Sequence, residues 1–167
     1  MLHPFTSGPQ ILALVALALV IQQRLPEGGD VFHGFWATCF LGAAAAALGL
    51  SGINVDVPLI LFTIAAGLLA ASGLTLPLPT LMALGTIRGL LSGYISWPDS
   101  GSTGNMLFST LGAIVGSILV IIFVAGGLQA IRQFAGWPWF PVAVRVAGSW
   151  LTAIAILLGA LMFRKVV

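Results

Sequence analysis

The sequence predicts an all-α fold, an integral membrane bundle of about six transmembrane helices, and three observations lead there. Charged residues fill only 6% of the 167 positions, while hydrophobic residues fill 59%. Mean hydropathy is +1.13. The apolar residues are gathered in six runs, parted by short turns rich in proline, glycine and charge. A soluble domain carries about 25% charged residues, because its surface meets water. Six Lys and Arg with four Asp and Glu cannot clothe a 17.3 kDa globule. The expected surface is one that faces lipid.

A bilayer core takes roughly 20 apolar residues per helix, and shorter runs suffice where neighbours cover their ends. The first run covers residues 9–22 and is short; Arg24, Pro26, Glu27, Gly28, Gly29 and Asp30 then make a polar turn. The second covers 31–50 and holds the alanine block 43–47. The third covers 57–71, with Pro58 in its first turn, where a missing N–H costs nothing. Residues 72–78 reverse the chain, and Pro77 and Pro79 open the fourth run, which continues to 95. The segment 96–104 is the one turn of linker-like composition, and a Ser or Thr in it is placed to cap the next helix. The fifth run, 105–134, is long enough to cross a membrane with tilt or to project beyond it. Trp137 and Trp139 follow, suited to the lipid–water interface, and the sixth run, 142–163, closes with Arg164 and Lys165. We expect one domain over 1–167, and the first run to be either a helix that stays or the start of a mature chain whose signal has been removed.

Several functions are excluded on the same grounds. A net charge of +2, with scattered basic residues, does not suit nucleic acid. Cys39 is the single cysteine, so an internal disulfide or a cysteine metal site cannot form. No nucleophile–histidine–carboxylate set and no phosphate-cradling glycine loop is present, and we expect neither an enzyme nor a bound cofactor. Gly85, Gly89 and Gly93, then Gly112 and Gly116, recur at four-residue spacing. Such rows let helix backbones approach closely, either within the bundle or between copies in a homo-oligomer. Arg24, Arg132 and Arg145 border the odd-numbered turns, against Arg164 and Lys165 at the C-terminus. This favours termini on the outer side.

The N-terminal stretch reads His3-Pro4-Phe5-Thr6-Ser7-Gly8-Pro9-Gln10 before the first apolar run, and the fourth run contains Arg88-Gly89-Leu90-Leu91-Ser92-Gly93. In these places the chain resembles the HupE/UreJ family of hydrogenase- and urease-accessory proteins, regarded as nickel or cobalt permeases. That family's first helix opens with His-Pro, two residues, Gly, one residue and Asp-His. Its fourth helix carries His-Gly-x-Ala-His-Gly. His3, Pro4, Gly89 and Gly93 match. Ser7 stands at the first motif's glycine, Pro9 at its aspartate and Gln10 at its second histidine, while Arg88 and Ser92 stand at the two histidines of the second motif. The resemblance implies the permease fold across nearly the whole chain.

It also marks what has changed. Nickel and cobalt take imidazole and carboxylate ligands, and of the two motifs' ligand residues only His3 remains. A guanidinium stays protonated and repels a divalent cation. His3 with His33 does not make a site, so we expect the family's metal site to be lost, with His3 at most a residual ligand. Arg88 is the most informative residue. A central intramembrane arginine costs roughly 2.5–3.5 kcal/mol on insertion scales, so it should face the interior and find a partner. With Ser92 it forms the expected intramembrane polar site, either an anion site or gate, or an arginine satisfied by carbonyls, Ser92, Thr86 or Asp56. Arg145, about a turn into the sixth helix, is expected to snorkel as an anchor.

Two functions follow as expectations. One is a small-solute permease of HupE/UreJ-like fold whose nickel/cobalt specificity is gone. The alternative is a non-transporting structural or accessory subunit in a larger membrane protein complex. The expected partners are the lipid bilayer and such a complex, and the expected place is the bacterial inner membrane.

Overall fold

Prolines and glycines set where the helices start and stop. The computed structural model describes residues 8–24, 29–49, 55–98 and 101–164. Its six helices are α1 (Gly8–Gln22), α2 (Gly29–Ala47), α3 (Asp56–Ser72), α4 (Leu78–Ser96), α5 (Thr103–Ala135) and α6 (Phe140–Arg164). No strand occurs among the described residues. Gly73, at φ 66°, closes α3, and Pro77 in extended conformation opens α4. Gly49 (φ 83°) and Gly136 (φ 56°) follow the ends of α2 and α5. A left-handed residue after the last turn suits glycine, which has no Cβ to strain.

The expected boundaries shift by a few residues, for local reasons. α2 ends at Ala47 because Gly49 turns the chain there. α6 begins at Phe140, two residues early, because Pro141 is tolerated in a first turn. Ser102 occupies the N-cap of α5 as the composition suggests, but its side chain makes no capping hydrogen bond.

Two of the six helices, over Thr103–Phe134 and Phe140–Met162, are long and apolar enough to cross a membrane unaided. α1 and α3 are as apolar but have only 15 and 17 residues. α4 has 19 residues, with Arg88 near its middle.

Glycines decide how the helices pair. On α4, Gly85 lies against Val31, Gly89 against Phe35 and Thr38, and Gly93 against Cys39 of α2. The matching steps of four on both helices make α2 and α4 a parallel pair in backbone contact. α3 and α6 run antiparallel, with Gly67 against Gly148 and Thr152, and Gly159 against Ile60. The row on α5 behaves differently: Gly112 meets nothing within 4 Å. Tight internal packing therefore holds for α4, while Gly112 faces outward.

α1 is the most enclosed element, touching α3, α4, α5 and α6. Every residue from Ala16 to Ile21 is buried. A helix that is apolar all round belongs inside, where each face has a neighbour. The outside is apolar as well: Leu48, Phe108, Phe123, Phe134 and Trp150 are each at least 70% exposed. Several polar residues lie within, among them Gln10, Thr63, Arg88, Ser92, Thr110 and Ser117.

Candidate functional site

Arg88 is fully buried, with no exposed surface, and it is the largest of the enclosed side chains. It stands midway along α4 on the face turned to α1. Its Nη1 donates to Ser92 Oγ at 2.6 Å, one turn further along the same helix. Its Nη2 donates to the backbone carbonyl of Gln10 at 3.0 Å, in the first turns of α1. Nε is buried and has no hydrogen-bond partner among the described residues. The i, i+4 spacing puts Ser92 within reach of Arg88, and the shortness of α1 brings its N-terminal turn to the depth of the guanidinium.

Polar contacts continue from this centre toward the end of α4. Ser96 Oγ donates to the Ser92 carbonyl at 2.6 Å, and Thr110 Oγ1 of α5 donates to the Ser96 carbonyl at 3.1 Å. Ser92, Ser96 and Thr110 are all buried. Gly89 and Gly93, next in the chain to Arg88 and Ser92, press α4 onto α2.

Of the residues singled out in the sequence, Arg88 and Ser92 are brought together, while His3 lies outside the described residues. His33 is exposed in the first turns of α2, away from Arg88. Thr86 and Asp56 are not the partners of Arg88; Ser92 and the Gln10 carbonyl are. Arg145 is exposed. Among the described residues, no three His, Cys, Asp or Glu side chains group so as to hold a metal ion.

The Gln10 carbonyl is the functional contact that composition and periodicity did not reveal. Any main-chain oxygen near a helix start is a potential acceptor, and nothing in a side-chain pattern selects one. Comparison with known families, with curated proteins and with solved structures yields no match.

Proposed function

We propose that the chain is an integral membrane bundle of six spans, in the bacterial inner membrane, built on the HupE/UreJ-like permease plan with a guanidinium where that plan holds a metal. Its transported solute is then small and anionic rather than a divalent cation. The observation that carries this reading is the Arg88 centre. A fully buried arginine uses Nη1 and Nη2 on its own chain and keeps Nε unpartnered among the described residues. Intramembrane ionisable residues are costly and mark solute paths, and a planar fork of donors recognises anions. The apolar exterior supports the six-span reading, because lipid accepts Phe108, Phe123, Phe134 and Trp150 where water would not. α1 and α3 are short for a span, and they pack against each other.

The test is uptake by proteoliposomes of the purified full chain, with chloride, nitrate and formate as probes and nickel as the control. Saturable anion uptake that falls in Arg88→Lys, with nickel excluded, is expected. Nickel uptake, or anion uptake indifferent to Arg88, would sink the reading.

One observation favours the accessory-subunit reading. Ser92 and the Gln10 carbonyl tie Arg88 across α4 and α1 as a brace. In that case no flux is seen, and the chain co-migrates with a larger assembly in mild detergent.

A further inference from the structure

We propose that the cleft at the opposite end of α1 from Gln10 is a phosphate site, filled by the headgroup of an anionic phospholipid. This rests on the reading that the chain spans a membrane.

The cleft has a volume of about 150 Å³ and is partly open. That is of the order of a cavity that holds benzene, and it suits a phosphate with its ester oxygens. Arg132 of α5 and Arg145 of α6 both line it, with Gln22 of α1 and Thr75 of the α3–α4 turn. Neither arginine has a hydrogen-bond or ion-pair partner among the described residues. No carboxylate among them lines the cleft. Two guanidinium groups facing one cavity without a counter-charge call for an anion, and phosphate accepts each fork through paired oxygens.

The seat is built rather than incidental. The Arg145 guanidinium lies where a side chain on Gly73 would have to be, so the left-handed glycine both turns the chain and makes room for the arginine. Gln22 is only 2% exposed, yet its amide lines the cleft and has no hydrogen-bond partner among the described residues. An amide without a protein partner has an N–H free to donate to a phosphate oxygen. The first turn of α6 adds the positive end of its dipole to the same wall.

Two features point to a lipid as the source. Phe140, Pro141 and Val144 make one wall apolar, fit for glycerol and the first acyl carbons rather than for a hydrated free ion. At the same corner Trp137 and Trp139 stack with centroids 4.8 Å apart, the aromatic signature of the headgroup level. Basic pockets between spans at this level take acidic headgroups.

The experiment uses the purified full chain. Retention in phosphatidylcholine vesicles after alkaline extraction reads the membrane span alone, and release there would sink that reading independently. Melting temperature and lipid retention by native mass spectrometry are then followed with phosphatidylglycerol, phosphatidylcholine or inorganic phosphate. Binding only the folded state raises melting temperature. Saturable stabilisation by phosphatidylglycerol alone is expected. Arg132→Gln and Arg145→Gln should each weaken it roughly fivefold, the value of one basic residue at a headgroup surface, with insertion unchanged. Phosphatidylglycerol acting no better than phosphatidylcholine on the unaltered chain would overturn the site, as would full retention by the double variant. Inorganic phosphate stabilising equally and displacing phosphatidylglycerol would assign the site to the free ion and overturn the lipid.

Discussion

Gly93 of α4 lies against the carbonyl oxygen of Cys39 on α2, with no room between the two backbones for even a methyl group. Gly93→Ala should therefore force the helices apart and lower stability by about 1–3 kcal/mol, the usual cost of overpacking. Gly112→Ala on α5 meets nothing within 4 Å, and should be neutral or stabilising by up to about 1 kcal/mol through helix propensity. Thermal unfolding of the two variants in one detergent compares them directly. Equal melting temperatures would mean that α2 and α4 are not in backbone contact.

The bond from Arg88 to Ser92 yields a sharper test, because its two ends are unequal. Ser92→Ala removes an acceptor from a buried charge, and hydrogen bonds to charged groups are worth about 1.5–3 kcal/mol. Arg88→Leu with Ser92→Ala removes the charge as well, and apolar replacement of buried ionic groups is often neutral or stabilising. The double variant should melt above Ser92→Ala. Additive losses in the double-mutant cycle would show that the two side chains do not interact.

How much of this was legible in the chain depends on the scale of the feature. The six helices were visible because apolar runs and turn residues are local signals, and Pro77, Gly73 and Gly136 act where they stand. The burial of Arg88 was also legible, since a charge in the middle of an apolar run has few places to go. The central position of α1 was less so. Its uniform apolarity fits a lipid-facing helix as well as an enclosed one, and only its shortness hinted at enclosure. The basic cleft was hidden because Gln22 of α1 is far in sequence from Arg132 and Arg145, and three separate helices supply them. Each taken singly read as a helix-end residue.

The same centre predicts how the protein treats metals. With Arg88 a fixed cation held by Ser92 and the Gln10 carbonyl, where the proposed HupE/UreJ-like plan would hold a metal, no tight nickel or cobalt binding is expected at micromolar metal. Calorimetry on the purified chain measures this directly. Stoichiometric binding would contradict it, since a divalent ion would then have to settle against an uncompensated guanidinium. Placing histidines at 10, 88 and 92 and aspartate at 9 should bring weak binding, short of a tight site, because ligand orientation depends on partners around the ligands.

The last prediction concerns orientation, and the folded arrangement strengthens what the sequence left nearly balanced. Arg132 and Arg145 converge on one cleft with Gln22 and Gln23, and Arg24 follows directly, donating to the Leu76 carbonyl at 2.6 Å. Three arginines thus gather at the end that carries the α1–α2, α3–α4 and α5–α6 connections. Helix starts and ends alternate along six elements, so Gly8 and Arg164 belong to the other end. Basic residues in short loops are retained on the cytoplasmic side. The arginine-rich end should therefore face the cytoplasm, with both termini outside. Alkaline phosphatase fused after Arg164 should be active, and the same reporter placed in the α3–α4 turn should be inactive. Active fusions at both places would break the six-span reading. An inactive terminus with an active turn would keep the six spans and reverse the orientation, and would move the arginine cleft to the outer leaflet. Replacing Arg24, Arg132 and Arg145 by glutamine should blur the pattern toward mixed topology, since Arg164 and Lys165 then carry the remaining bias.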